Sequence, residues 1–321
     1  MLSRVGGPEC LELAELPDPE PGPGEVLVAV RAAGVNYADV LIRSGKYPQP
    51  PPLPYVPGHE FAGDIVAVGD RVDGVGAGGR VMAFTRGDGA YAERAVVPAA
   101  NVVALPDDSD YAEGAGFLLT FLTAYIPLVR QIGIRPGQTV LVHAAAGGVG
   151  TAALQILRHF GATAIATAGS TEKLEFARSL GATTAIDYRR EDFAARVREE
   201  TNGRGVDVVL DTVGGEIFEQ SLRVLAPLGT LVAIGFAGGS WPQLDPGVVV
   251  GRNVTLVGFF LGRLFRLAPD YVAQATRELV ELWASGAVRP IVTRRLPLAE
   301  AAEAHRLIES RRTMGKVVLI P

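Results

Sequence analysis

The chain has 321 residues, 48% apolar and 20% charged, an ordinary globular mixture with length for two domains and a substantial core. A formal net charge of −5 and a single cysteine, Cys10, exclude an electrostatic drive toward nucleic acid, an internal disulfide and every cysteine-rich zinc cluster. No N-terminal stretch joins a basic start, an apolar run and a small-residue cleavage site, and no apolar run suits a bilayer, which predicts a soluble cytoplasmic protein with no membrane partner.

The first hundred or so residues are dense in Gly and Pro, with short apolar runs at Glu25–Ala32, Gly63–Val68, Arg80–Phe84 and Tyr91–Val97. Such spacing predicts short strands in a small barrel or sandwich. Two Pro-rich stretches, 17–25 and 47–58, read as stiff loops. From Tyr111 to Leu128 the spacing turns helical. After Gln138 strands and helices alternate: strands at 139–144, 163–168, 183–188, 206–213 and 230–236, with helices at Thr151–Phe160, Thr171–Leu180, Phe193–Thr201 and Ile217–Leu225. This alternation predicts a parallel, doubly wound α/β sheet. Two more helical patterns, Pro269–Ser285 and Leu298–Ser310, and a last strand, Lys316–Ile320, look like a return to the first domain.

The strand at 139–143 runs into AAAGGVG and then a helix, the context in which a glycine motif carries weight. Matched to G-x-G-x-x-G, Ala145 replaces the first glycine while Gly147 and Gly150 keep the second and third. The second lets backbone approach a pyrophosphate and the third lets helix pack closely on strand. A bland tight turn between strand and helix is the competing reading. In an NAD site an acid about 20 residues on accepts from the adenosine ribose. Here the next strand ends in AGSTEK, with Ser170 and Lys173 at the tip and no acid at the strand end. Lysine occurs only at Lys46, Lys173 and Lys316, so its placement here counts. A charge-assisted bond of roughly 1.5–3 kcal/mol to a 2'-phosphate corresponds to a preference for NADPH of about 10- to 200-fold. The alternatives are an exposed first-turn lysine and an inward Glu172 that opposes the phosphate.

These residues, with AAGVNYADVLIRSGKYP at 32–48, HAAAGGVG at 143–150, IDYRRED at 186–192, LDTVGG at 210–215 and IESRRTMGKVVLIP at 308–321, resemble the zinc-independent medium-chain dehydrogenase/reductases of the zeta-crystallin type, the NADPH:quinone oxidoreductases. The resemblance runs nearly end to end. It implies a GroES-like β-rich catalytic domain from both chain ends (1–118 and 262–321) and a Rossmann dinucleotide-binding domain between (119–261). It implies that Asn36 reaches the nicotinamide ribose and that Gly147, Gly148 and Val149 form the pyrophosphate loop. Lys173 and Tyr188 match the pair holding the 2'-phosphate, with Ser170 and Arg189 close by. Val213, Gly214 and Phe236 match the rim along ribose and nicotinamide, and Thr313 to Gly315 the segment that closes the cofactor cleft. The strand Asn253–Phe260 lies where relatives pair across a two-fold axis, which implies a homodimer.

The Gly58-His59-Glu60 triplet raises the question of zinc, because zinc-dependent alcohol dehydrogenases carry His and Glu at that point. A catalytic zinc needs three protein ligands. Where those relatives place their first cysteine ligand this chain has Asn36 or Tyr37, so no metal is expected. His59 and Glu60 read as a turn residue and a partly buried carboxylate, bonded to each other or to arginine; contact of His59 with substrate is the alternative. Tyr47 is the candidate proton donor or substrate-orienting hydroxyl, since related enoyl reductases carry a tyrosine there; packing on Pro50 to Pro52 competes. Asp39 reads as a helix cap. Three functions remain: an NADPH:quinone reductase, which the motifs favour; an enoyl-thioester or enone reductase; and a non-catalytic NADPH-binding protein.

Overall fold

In β1 (Glu25–Val35) Val26, Val28 and Val30 are buried and Arg31 is exposed, after which the strand stays buried from Ala32 to Val35. A strand covered on both faces must find partners on both edges, and β1 is the hub of the first sheet. After it come α1 (Tyr37–Arg43), β2 (Glu60–Val68), β3 (Arg80–Phe84), β4 (Arg94–Pro98), β5 (Val102–Ala104), α2 (Tyr111–Ala115) and α3 (Leu118–Tyr125). Then follow β6 (Thr139–Val142), α4 (Gly148–His159), β7 (Thr163–Ala168), α5 (Thr171–Ser179), β8 (Ala182–Asp187), α6 (Phe193–Glu200), β9 (Val206–Asp211), α7 (Gly215–Arg223) and β10 (Leu225–Ala233). The chain ends with α8 (Pro246–Arg252), β11 (Thr255–Gly258), α9 (Leu261–Leu267), α10 (Pro269–Ala284), β12 (Val292–Pro297), α11 (Ala301–Glu309) and β13 (Lys316–Ile320). The computed structural model describes residues 1–85, 89–241 and 243–321, which fall into two compact units, Met1–Leu119 with Pro290–Pro321, and Thr120–Arg289.

The first unit holds a seven-stranded sheet in the order β12-β13-β1-β2-β3-β5, with β4 also paired to β1. Its C-terminal strand lies antiparallel to β1, with Ala33 opposite Leu319 and Val35 opposite Val317. Val28, Val30, Phe61, Ile65, Val317 and Leu319 meet in one core, so the last residues complete the fold begun by the first.

The second unit is a six-stranded parallel sheet in the order β11-β10-β9-β6-β7-β8. The central strands are mainly apolar and buried, as a sheet with helices on both faces requires. The order reverses between β6 and β9, and in open α/β sheets ligands bind beyond the carboxyl ends of the strands at such a point.

Two differences from the sequence reading have physical causes. The helical spacing from Tyr111 to Leu128 is realised as two helices split at Gly116, followed by a π-helical turn at Ile126–Gln131. Pro127 has no N–H and forces the ladder out of α register. The sequence reading placed the return to the first domain at residue 262, whereas the compact units change at Pro290. The intervening α10 is tied to the second unit by Glu278, whose carboxylate accepts from Tyr125 (3.0 Å) and Arg130 (2.6 Å). Helices α8 and α9 and strand β12 are short and gave no periodic signal. Among the described residues no helix is long and apolar enough to cross a membrane.

The tightest approach in the second unit is at Gly150, where an added Cβ would lie 2.6 Å from Ala144 O and from Ala145 Cα. Both are backbone atoms and cannot swing aside. Gly150→Ala is therefore expected to cost about 1–3 kcal/mol, lowering Tm by roughly 2–4 °C per kcal/mol; an unchanged thermal midpoint would show that the α4 turn is looser than described.

Candidate functional site

The first unit builds its polar centre around Asn36. Asn36 precedes α1 in an extended conformation (φ −124°, ψ 156°), and its backbone N–H donates to Asp39 Oδ2 at 2.8 Å. Its side-chain Oδ1 accepts from Lys316 Nζ at 2.6 Å, while Nδ2 donates to Glu60 Oε1 at 3.0 Å and Gly34 O at 3.4 Å. Lys316 Nζ also donates to Glu60 Oε1 at 2.8 Å and Val35 O at 3.1 Å, and Glu60 Oε2 accepts from the Leu119 N–H at 2.9 Å. Lys316 is 4% exposed and Glu60 fully buried. All three ammonium protons have acceptors, the condition under which a buried ion pair is tolerated. The pair also fixes the Asn36 amide, with its oxygen toward the cation and its nitrogen toward the carboxylate. One Oδ1 lone pair of Asn36 is left beyond the bond from Lys316.

Just before β13, Gly315 has φ 57°, and a Cβ there would lie 2.3 Å from Ile291 O. Glycine is required for the backbone turn that lets Lys316 N donate to that same carbonyl at 2.8 Å. Thr313, two residues earlier, is half-buried.

A second buried chain starts at Asp39. Its Oδ1 lies 2.5 Å from His59 Nδ1, and its Oδ2 accepts from Tyr91 OH at 3.0 Å, which in turn lies 3.3 Å from His305 Nε2. Burial pushes the Asp39 carboxyl up, but the charge and hydrogen bond of His59, with His305 and the Asn36 N–H, hold it below the usual carboxylate range. Burial depresses His305 to about 4, against the opposing attraction of Asp39. Tyr47 meets His59 edge-on with ring centroids 6.2 Å apart, and burial, then the Asp39 charge, push its phenol up to about 12. The expectation that His59 and Glu60 bond to each other or to arginine is corrected: His59 bonds Asp39 and Glu60 bonds Lys316. Among the described residues no three His, Cys, Asp or Glu side chains gather as a metal site.

In the second unit, Gly147 precedes α4 in extended backbone, with its N–H on Ala144 O at 2.9 Å. Gly147, Gly148 and Val149 are half-buried at the helix start, where N–H groups lack intrahelical acceptors. Ser170 caps α5, accepting from Lys173 N at 3.4 Å. A Cβ on Gly169 would lie 2.7 Å from Tyr188 OH and 3.0 Å from Arg189 Nε, so the bare glycine lets both side chains close over the tip of β7. Ser170, Tyr188 and Arg189 thus gather at the carboxyl ends of β7 and β8, with Lys173 in the first turn of α5. Glu172 is exposed, and Asp187 is turned back to accept from Arg189 N at 3.0 Å. This donor-rich cradle, with no acid at the tip of β7, fits a 2'-phosphate.

Across the switch point, Asp211 ends β9 fully buried and accepts from Val213 N at 2.7 Å and Gly214 N at 3.1 Å. Burial raises its pKa against those two bonds. Gly214 (φ 72°, ψ −162°) adopts a glycine-only conformation, and Val213 O accepts from Gly238 N at 2.8 Å, joining the loops after β9 and β10. Phe236 is buried there beneath Trp241, ring centroids 4.4 Å apart. Pro242, in the loop read from sequence as apolar and planar, lies outside the described residues. Sequence reasoning missed the organising roles of Lys316, Asp39 and Asp211; the rarity of lysine was the available signal for the first.

The family described as alcohol dehydrogenase GroES-like domain matches residues 22–107, and that described as zinc-binding dehydrogenase matches 180–319. The quinone oxidoreductase of Pseudomonas aeruginosa is 40% identical over 320 residues, covering 100% of this chain and 98% of that protein. The chain belongs to the quinone oxidoreductase family of medium-chain dehydrogenase/reductases. Its first unit is thus the GroES-like part of that fold and its second the Rossmann part. The solved Escherichia coli quinone oxidoreductase, complexed with NADPH, superposes with a TM-score of 0.94 at 35% identity, covering 100% of this chain and 98% of that one. A 2-haloacrylate reductase from Burkholderia sp is 35% identical over 332 residues, covering 100% of this chain and 98% of that protein.

Removing one member of the buried pair strands the other. Lys316→Met is expected to destabilise by about 3–5 kcal/mol, and the double variant Lys316→Met with Glu60→Leu by clearly less. Denaturant unfolding of both singles and the double measures this, and additive losses would refute the coupling.

Proposed function

We propose that this protein is an NADPH-dependent oxidoreductase that transfers hydride to a quinone without zinc. The observation that carries the reading is the closing of Tyr188 and Arg189 over Gly169 beside Ser170, with Lys173 in the first turn of α5 and a glycine loop at the sheet's switch point. Lys173, Tyr188, Ser170 and Arg189 would hold the 2'-phosphate; Gly147, Gly148 and Val149 would offer N–H groups to the pyrophosphate. Val213, Gly214 and Phe236 would line ribose and nicotinamide, and Asn36 would bond a ribose hydroxyl through its remaining lone pair, with Thr313 and Gly315 in the closing segment. Bound NADPH supplies a hydride. The protein's task is then to position a planar acceptor and provide a proton, for which Tyr47 is a candidate. The residues aligned with a zinc site are occupied by other bonds: His59 with Asp39, Glu60 with Lys316.

Reduction at carbon, of an enone or enoyl thioester, is the second reading, favoured by the similarity to a 2-haloacrylate reductase. The protein is read as soluble and cytoplasmic, in keeping with its unpaired, buried Cys10. A homodimer through β11 is supported by that strand's place at the edge of the sheet, with Leu256 and Val257 half-buried. The family resemblance divides the chain at 118/119 and 261/262, and the compact units agree with the first division to within a residue while placing the second at Pro290.

NADPH oxidation followed at 340 nm with a simple quinone, a crotonyl thioester and an enone, each repeated with NADH, tests the reading. Quinone turnover with NADPH preferred is expected, and Lys173→Glu is expected to erase about 10- to 200-fold of that preference. Turnover of the thioester or enone alone would move the activity to carbon, and NADH preference in the parent protein would contradict the cradle's assignment.

A further inference from the structure

His59 occupies a place that the reading above leaves without a task. It is 5% exposed, its Nδ1 lies 2.5 Å from Asp39 Oδ1, and its Nε2 makes no hydrogen bond among the described residues. A carboxylate on Nδ1 fixes the ring and places a hydrogen on that nitrogen, so that Nε2 is the atom through which a proton can be exchanged. Asp39 is itself immobilised by Tyr91 OH at 3.0 Å and the Asn36 N–H at 2.8 Å. Behind Tyr91 stands His305, fully buried, whose Nδ1 has no partner among the described residues. That branch therefore ends in the protein interior and acts as a clamp, and the His59 ring has the Tyr47 and Phe84 rings as neighbours, with centroids 6.2 Å and 6.4 Å away.

We propose that His59, oriented by Asp39, is the acid that protonates the acceptor during reduction, with Tyr47 orienting the acceptor beside it; this rests on the reductase reading above. As the acceptor gains a hydride its oxygen, or the α-carbon of an enone, becomes the seat of an electron pair. The Nε2–H bond of the imidazolium breaks, an O–H or C–H bond forms, and neutral imidazole is left. Solvent returns the proton. The net reaction consumes one hydride and one proton, as reduction of a quinone or an enone requires. Asp39 is a positioning residue, and it stabilises the imidazolium before transfer.

The Asp39 carboxylate also bears on Tyr47. Its phenol is held up to about 12 by burial and by Asp39, so a tyrosinate would form beside an existing carboxylate. The ionisable groups around His59 are Asp39 in contact, Tyr47 on its edge, Tyr91 and His305 behind Asp39, Arg43 near His305, and Glu60, which is neutralised by Lys316.

The test compares the parent protein with His59→Asn, His59→Gln and Tyr47→Phe in steady-state reduction of a quinone and an enone by NADPH, across pH. His59→Asn keeps a donor toward Asp39, and His59→Gln is a second isostere should the first fold poorly; NADPH affinity by fluorescence reports intact structure. The expected result is a loss of kcat of about 10²-fold for the histidine variants, larger for the enone than for the quinone, with cofactor affinity unchanged. Tyr47→Phe, which removes the orienting hydroxyl, is expected to raise KM and to lower kcat less than the histidine variants do. A folded His59→Asn or His59→Gln with parental kcat and pH profile, or a kcat loss confined to Tyr47→Phe, overturns the inference while leaving the reductase reading intact. Absence of any turnover by the parent overturns both.

Discussion

A single buried ammonium sets much of the first unit. Lys316 stands at the start of the last strand, and its three hydrogen bonds reach Val35 at the end of β1, Glu60 at the start of β2 and Asn36 at the entry to α1. Each is a place where the chain changes direction. Desolvating two ions is expensive, and the arrangement persists because every proton and nearly every lone pair has a partner. What the pair contributes is orientation: Asn36 is pinned by its side chain, its backbone N–H then meets Asp39, and Asp39 holds His59. The polar centre is one connected network, from a lysine near the C-terminus to a histidine ahead of β2.

The second unit works by backbone geometry instead. At the switch point the loops after β6 and β9 lie on neighbouring strands, each shaped by glycines that have no room for a Cβ. Asp211 spends its charge on the N–H groups of Val213 and Gly214, so the loop after β9 is organised by an acid that touches no solvent. The cationic and hydroxyl groups sit farther along, at the tips of β7 and β8, where Gly169 makes space for them.

Much of this was legible in the sequence because it is local. The parallel alternation, the glycine loop and the serine and lysine after β7 are read within windows of a few residues, and their strands and helices formed close to the expected limits. Long-range partners were not legible. Lys316 and Glu60 are 256 residues apart, and Asp39 and Tyr91 are 52 apart; no periodicity links them. His59 and Glu60 are adjacent in sequence, yet successive side chains entering a strand point to opposite sides, which is why one joins Asp39 and the other Lys316. The domain return was blurred for a similar reason: α10 shows only that it has an apolar face, and its ties to Tyr125 and Arg130 decide which unit receives it.

The account turns on whether the residues aligned with a zinc site do their work as hydrogen-bonded protein groups. Elemental analysis of the purified protein for zinc, paired with NADPH-dependent turnover before and after chelation, addresses this directly. The expected result is zinc well below stoichiometric and turnover unchanged by the chelator. Stoichiometric zinc whose removal abolishes turnover and whose return restores it would contradict the account, since His59 and Glu60 would then have to leave the partners described for them.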